Sequence, residues 1–227
     1  LINCSASPFV ADKHAQRIQL ATAAAQRYRI PVIYCNQVGG NDELIFDGNS
    51  FVVDASGRLV AHARDFQTDL LIVDLPIGAA SNGPAVNNRI ETPRSGIAAV
   101  YHALVLGLRD YCGKCGFDSI VIGLSGGIDS AVTCALCAAA IGAENVRGVS
   151  MPSRYSSDGS RDDAEDLALR LGVAYRAIPI EPVHEAFESL MQEQYEGRGP
   201  DVTEENVQAR IRGVILMALS NKFGSLL

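Results

Sequence analysis

Read for the spacing of apolar and polar positions, the chain falls into two halves with different rhythms. Leu1-Ile2-Asn3-Cys4 reads as the end of a buried strand that runs into the turn Ser5-Ala6-Ser7-Pro8-Phe9. From Lys13 to Arg29, Ile18, Ala21, Ala25 and Tyr28 recur near helical spacing, with arginines and glutamines between them. Pro31 to Asn36 is a short strand, and Gln37 to Asn49, rich in Gly, Asn and Asp, a loop. Ser50 to Asp54 and Arg58 to Ala63, joined through Ala55-Ser56-Gly57, predict a hairpin, and Asp69 to Leu75 one more strand. Residues 77–88, crowded with Gly, Ala, Ser, Asn and Pro and without periodicity, read as a linker.

The second half alternates strand and helix. A helix opens at Pro93 and Ser95, carries Ile97, Val100, Tyr101, Leu104, Val105 and Leu108 on one face and ends near Cys112-Gly113; His102 falls off that face, as a surface histidine would. Asp118 to Ile122 is a strand and Ala131 to Ile141 a helix. Val146 to Pro152 is a second strand, Ser153 to Gly159 a polar loop, and Ser160-Arg161-Asp162-Asp163 a capping box for the helix Ala164 to Leu171. Val173 to Ile180 is the third strand. This order predicts a parallel sheet with helices on both faces and ligands at the carboxyl ends of its strands. A last helix, Glu204 to Lys222, has a core stripe of Val207, Ile211, Val214, Ile215 and Ala218, with Asn206 and Arg210 together on a second, polar face.

The chemistry concentrates between the first strand and helix of that half, at Gly123-Leu124-Ser125-Gly126-Gly127-Ile128-Asp129-Ser130. Gly126 and Gly127 can take backbone angles closed to other residues, so successive N–H groups can converge on one anion while the helix start adds its positive dipole end. Ser125 and Ser130 add hydroxyls. No lysine precedes Ser130 and the glycines are adjacent, so the stretch is neither a Walker loop nor a dinucleotide fingerprint. A ligand-free strand-to-helix turn would need only the glycines and a serine; the aspartate and flanking serines argue for a phosphate trap.

Composition changes this picture little. The 227 residues suffice for one large domain or two modest ones, and 48% hydrophobic with 20% charged is an ordinary globular balance. A net charge of −7 argues against a nucleic-acid surface. The longest apolar run, Ala131 to Ala143, is too short to span a bilayer, and no signal peptide is readable at Leu1. Both ends look like interrupted strands, so the chain reads as a stretch cut at each end. Six cysteines without a secretory signal point to free thiols in a reducing compartment, hence the cytoplasm. Cys112-x-x-Cys115 and Cys134-x-x-Cys137 have zinc-ribbon spacing, but the second pair sits inside a helix that follows the phosphate loop, so small buried or half-buried thiols are expected and zinc is not.

Ser-Gly-Gly-Ile-Asp-Ser resembles the pyrophosphate loop of the N-type ATP pyrophosphatases. Asn3 to Phe9 and Val38 to Ser50 resemble the C-terminal part of a nitrilase-type amidohydrolase, and more closely the glutaminase half of the glutamine-dependent NAD synthetases. Met151 to Ser157, Ser160 to Ala164, Glu205 to Gly213 and Asn221 to Gly224 are similar to the synthetase half of the same family, in the family's order. The fold implied is α/β: the end of a nitrilase-like α-β-β-α sandwich at residues 1–76, a linker at 77–94, and a parallel-sheet synthetase domain at 95–227. The resemblance implies ATP-dependent amidation of deamido-NAD to NAD through an adenylate, with ammonia from glutamine and release of AMP and pyrophosphate. ATP contacts would come from Gly123, Leu124, Ser125, Gly126, Gly127, Ile128, Asp129, Ser130 and Arg154, with Asp129 holding Mg2+. Asn206 and Arg210 would contact deamido-NAD; Ser7 and Lys13 would contact glutamine, or be a turn serine and a solvated lysine.

In the family the catalytic glutamate, lysine and cysteine lie upstream of Asn3. Cys4, where the family usually carries an aliphatic residue, reads as packing rather than as a nucleophile. Small molecules are the expected partners, with a homo-oligomer and neither nucleic acid nor membrane. Two other readings stay open: another AMP-forming ATP pyrophosphatase, and a non-catalytic nucleotide-binding module.

Overall fold

The computed structural model describes residues 1–75, 87–154 and 156–227. They form two compact units, Leu1–Tyr111 and Cys112–Leu227. Both are α/β, as the strand and helix rhythm predicts.

The first unit runs β1 (Ile2–Ser5), α1 (Lys13–Tyr28), β2 (Val32–Asn36), β3 (Val38–Asn41), β4 (Leu44–Asp47), β5 (Phe51–Val53), β6 (Leu59–His62) and then α2 (Gly96–Cys115), whose last turn passes into the second unit. A four-stranded sheet has the order β1-β2-β5-β6, with β1 and β2 parallel and the other pairs antiparallel. Helix α1 lays Ala21 and Ala25 on Val32, Tyr34, Phe51 and Val53. Small alanines let the helix approach the sheet, and each fully buried Phe51- or Val53-type side chain contributes roughly 1.5–3 kcal/mol.

Three expectations for this half need correction. β1 is an edge of the sheet, so Leu1 and Ile2 are 61% and 68% exposed and Cys4 lies exposed beside Cys35 instead of buried. The expected loop 37–49 contains the β3–β4 hairpin, paired from Val38↔Asp47 to Asn41↔Leu44; Gly39 and Gly40 hid the strand by composition. Residues 69–75 form no strand, and Leu70 and Ile72 stand exposed. Of the expected linker 77–94, residues 77–86 lie outside the described residues; in the rest the N–H of His62 donates to Arg89 O, that of Glu91 to His62 O, and Arg89 and Arg94 pair with Asp69 and Asp65.

Helix α2 buries Val105 of the expected stripe but otherwise turns a different face inward. Ala99, Ala103 and Leu106 pack with Phe9, Val38, Ile45 and Phe66, whereas Ile97, Tyr101 and Leu104 are exposed. The close approach of the β3–β4 hairpin explains this, since a Cβ on Gly40 would stand 3.0 Å from Gly107 Cα and one on Gly107 2.9 Å from Ile45 Cδ1. Where backbones come that near, small residues face the contact. His102 is half-buried, stacked on Phe66 at 6.1 Å between ring centres.

The second unit runs β7 (Ile120–Gly123), α3 (Ile128–Ile141), a 3-10 turn at Ala143–Asn145, β8 (Val146–Ser150), α4 (Asp158–Leu171), β9 (Ala174–Ala177), α5 (Glu181–Met191) and α6 (Val202–Phe223). Its three strands lie in the order β7-β8-β9, all parallel. Val121, Val149, Met151, Ile180 and Ile211 form the core, with Val207, Ile215, Leu216 and Leu219 against it. Val214 is 60% exposed and Ala218 exposed, so the inner stripe of α6 is rotated from the expected one. Helix α4 begins earlier than expected: Ser157 is its N-cap, its side chain accepting from the Ser160 N–H. Helix α6 opens on a true capping box, Asp201 with Glu204, and closes on left-handed Gly224. Past it, Leu226 bridges to Ile120 in parallel, extending the sheet. No described helix is long and apolar enough to cross a membrane.

Candidate active site

At the carboxyl end of β7 the chain must turn sharply into α3. Leu124 is buried, its N–H donating to Val149 O at 2.8 Å, and this pins the loop to β8. Gly126 then sits at φ +81°, and a Cβ there would lie 2.3 Å from Ser160 O and 2.8 Å from Ser160 Cα. Only glycine satisfies both the angle and the approach of the α4 start. Gly127 is the N-cap of α3 and offers no side chain to the first turn, so the leading N–H groups of the helix are left to water or an anion.

Two hydroxyls brace the turn. Ser125 Oγ accepts from the Gly127 N–H at 3.2 Å and lies 3.1 Å from Ser130 Oγ, while Ser130 Oγ donates to Gly127 O at 2.9 Å. The loop is thus shaped by its own serines. Asp129, in the first turn of α3, is exposed.

The loop opens on a cavity of about 480 Å³, walled by Gly123 to Ser125, by Ser150 to Pro152 at the end of β8, by Ser160 and Arg161 on α4, and by Arg212, Gly213 and Leu216 on α6. A Cβ on Gly123 would stand 3.2 Å from Leu216 Cδ1, so glycine keeps that wall thin. Two guanidinium groups stand in the wall, each held by a carbonyl near the end of β8: Arg212 Nε donates to Met151 O at 3.1 Å and Arg161 Nη2 to Ser153 O at 3.3 Å. Neither was singled out from sequence. Arg161 lay hidden in an acidic run that read as helix capping.

Arg154 is not in that wall. It reaches α5, pairing with Glu181 and with Glu185 and Glu188 at 3.5 and 3.9 Å, and its guanidinium holds the Glu181 carboxyl below the usual range. Helix α5, absent from the sequence reading, supplies that acidic face. Asn206 and Arg210 are exposed on α6 and linked to each other, Arg210 Nη1 donating to Asn206 O at 3.0 Å and to Asn206 Oδ1 at 3.2 Å. They lie outside the cavity wall, but Asn206 is two helical turns before Gly213, on the same stripe.

Among the described residues no group of three or more His, Cys, Asp or Glu side chains could hold a metal. Mg2+ needs less, binding through one or two carboxylates with substrate phosphates completing its shell. The exposed Asp129 carboxylate beside an anion-ready loop fits that minimal donor set. Of the cysteines, Cys134 and Cys137 are buried on α3 and Cys115 is exposed; burial raises the Cys134 thiol and pushes Cys137 up to about 11.

In the first unit, Ser7 is half-buried, its N–H donating to Asn36 Oδ1 at 2.9 Å. Lys13, at the start of α1, places Nζ 3.5 Å from Pro8 O. Lys13 Nζ and the buried Arg17 thus both reach the backbone of residues 7–8, with no direct contact between Ser7 and Lys13 among those described.

Two family models match the chain. A carbon-nitrogen hydrolase family model matches residues 7–83 and an NAD synthase model residues 100–227. The chain is similar to the glutamine-dependent NAD(+) synthetases of Rhodobacter capsulatus (47% identical over 221 residues, 97% of this chain and 40% of that protein) and of Synechocystis sp. (43% over 228 residues, 100% and 40%). It therefore spans about two fifths of the length of these curated relatives. Among solved structures, a glutamine-dependent NAD+ synthetase from Acinetobacter baumannii in complex with ADP superposes with a TM-score of 0.84 at 36% identity, covering 99% of this chain and 42% of that one. Because the NAD synthase model takes in more than half of the residues, including the glycine loop, the cavity and α6, the chain belongs to the NAD synthase family.

Proposed function

We propose that the protein, at the full length of its relatives, amidates deamido-NAD to NAD at the expense of ATP, using ammonia released from glutamine. The observation that carries this reading is the Gly126-Gly127 loop: an uncapped helix start, two bracing hydroxyls and two cavity-wall guanidiniums meet at the carboxyl edge of a parallel sheet. The A. baumannii relative, solved with ADP, supports an adenine nucleotide as the ligand of this cavity.

The chemical difficulty is that a carboxylate is a poor electrophile and repels the polyphosphate it must attack. The substrate carboxylate would attack the α-phosphorus, expelling pyrophosphate and forming an acyl adenylate; ammonia would then displace AMP. The N–H groups at the start of α3 would face the departing charge, and the hydroxyls of Ser125 and Ser130, bonded within the loop, hold the turn that presents them. Arg161 and Arg212 add positive charge at the wall. Asp129 would hold Mg2+, which when bound screens phosphate charge. Arg154 would join the nucleotide only by leaving Glu181. Asn206 and Arg210 would contact deamido-NAD along the stripe that leads to Gly213, and Ser7 and Lys13 would contact glutamine.

The test is ATP–pyrophosphate exchange on the full-length protein. Exchange that appears only when deamido-NAD is added supports the reading; exchange driven by another acid, or none, refutes it.

A further inference from the structure

The segment that carries Ser7 is gripped by a buried polar cluster that packing alone does not require. Arg17, 7% exposed on α1, spends every N–H of its guanidinium. Nε donates to Ser7 Oγ at 3.1 Å; Nη2 donates to Ser7 O at 2.9 Å and Pro8 O at 2.8 Å; Nη1 donates to both Asp47 carboxylate oxygens at 2.8 Å. From β2, Asn36 takes the Ser7 N–H on Oδ1 at 2.9 Å and returns Nδ2 to Ser7 O at 3.2 Å. Asp47 is 2% exposed, so the pair is fully desolvated. A buried ion pair of this kind is weak evidence for stability, because well-packed apolar groups of the same volume commonly serve as well. What it provides here is geometry at one residue.

We infer that Arg17, with Asn36, is a positioning residue that holds the Ser7 hydroxyl as a hydrogen-bond donor toward the α-carboxylate of the amide-donating amino acid. The inference rests on the reading above that Ser7 and Lys13 contact glutamine. An arginine N–H can only donate, so Ser7 Oγ is committed to accepting from it and its own hydrogen is turned outward. The charge of Arg17 is matched by Asp47, whereas Lys13, one helical turn earlier, has no ion pair among the described residues. A hydroxyl donor and an ammonium on one short segment suit a carboxylate better than an uncharged amide oxygen, which accepts more weakly, and disfavour an amine.

The test compares glutamine with its α-carboxamide as nitrogen donors for the full-length enzyme, with ammonia-driven NAD formation as the reference for folded enzyme. Wild type should prefer glutamine. Ser7→Ala should cut that preference in kcat/KM on the order of tenfold. Arg17→Lys and Asn36→Ala should each cut it comparably, and Arg17→Lys should add little in a Ser7→Ala background. Both donors are measured on one preparation, so loss of folded protein cancels in the ratio. If Ser7→Ala leaves the preference intact, the glutamine-contact reading fails and the positioning role with it. If Ser7→Ala lowers it but Arg17→Lys and Asn36→Ala do not, or if the Arg17 effect adds in full to that of Ser7, the positioning role alone is overturned. Should Arg17→Lys yield no ammonia-driven activity, Asn36→Ala decides.

Discussion

Replacing Gly126 by alanine should disable the phosphate loop while leaving every proposed nucleotide-contacting side chain unsubstituted. Two costs combine. The left-handed angle of φ +81° costs an L-residue roughly 1–2 kcal/mol. The added Cβ would meet Ser160 O at 2.3 Å and Ser160 Cα at 2.8 Å, which are backbone atoms of the α4 start and cannot rotate aside; such overpacking typically costs about 1–3 kcal/mol. The loop relieves roughly 2–5 kcal/mol by swinging away from α4, which misplaces the α3 start against the cavity wall. At about 1.4 kcal/mol per tenfold, kcat/KM for ATP should fall by at least about 30-fold. Gly127→Ala is the internal control. Its φ of −84° suits alanine, its nearest neighbour is the rotatable Ser125 Oγ at 3.3 Å, and losing a glycine N-cap costs under about 1 kcal/mol, so the fall should stay within roughly tenfold. Deamido-NAD-dependent ATP–pyrophosphate exchange measures the effect, and a thermal midpoint confirms that both variants fold. If Gly126→Ala matches wild type, or loses no more than Gly127→Ala, the loop is not the rigid phosphate cradle described here.

Asp129→Asn should lower exchange by about tenfold or more and shift the Mg2+ dependence to higher concentration, with only a small change in thermal midpoint because the carboxylate is exposed at a helix start; an unchanged Mg2+ titration would contradict its role. Arg161→Gln should raise KM for ATP by about tenfold while Arg154→Gln changes it little, since only Arg161 stands in the cavity wall; steady-state kinetics showing the reverse order would return the nucleotide contact to Arg154. His14 and His62 face each other at 2.9 Å between Nε2 atoms, and burial lowers both, His14 to about 4, despite the opposing pull of Asp47 and Asp65 on His14 and of Asp65 and Glu91 on His62. Both are therefore neutral in the fold while an unfolded histidine titrates near 6.5, so their contribution is complete above about pH 6.5 and is lost as pH falls toward about 4. The loss should be on the order of 2 kcal/mol after allowance for residual solvent, read from denaturant midpoints across that range, and His14→Gln should flatten the slope; parallel slopes would refute the assignment.

What could be read in the sequence was whatever a local rule determines. The glycine loop was legible because its chemistry is written in consecutive residues, and the parallel β7-β8-β9 sheet because strand and helix alternate at regular spacing. Hydrophobic periodicity failed where a tertiary contact outbids it. On α2 the bulkier stripe of Ile97, Tyr101 and Leu104 looked like core, yet the glycine-bearing β3–β4 hairpin comes so close that Ala99, Ala103 and Gly107 are the residues that fit. The same limit conceals buried charge. Arg17 sits one residue before Ile18 on a helix whose inward face was drawn through apolar positions alone, and nothing local to it shows that Asp47, thirty residues on, will neutralise it. Asp47 itself lay in a segment read as loop. A charged pair joining α1 to a hairpin disguised by its glycines is therefore invisible until the backbone is in place, although the Ser7 segment that Arg17 grips was already conspicuous. Arg154 and Arg161 make the same point in reverse: both follow β8 in a polar run, and only the position of α5, with Glu181 reaching toward one of them, separates the arginine that braces a helix from the one that walls the cavity.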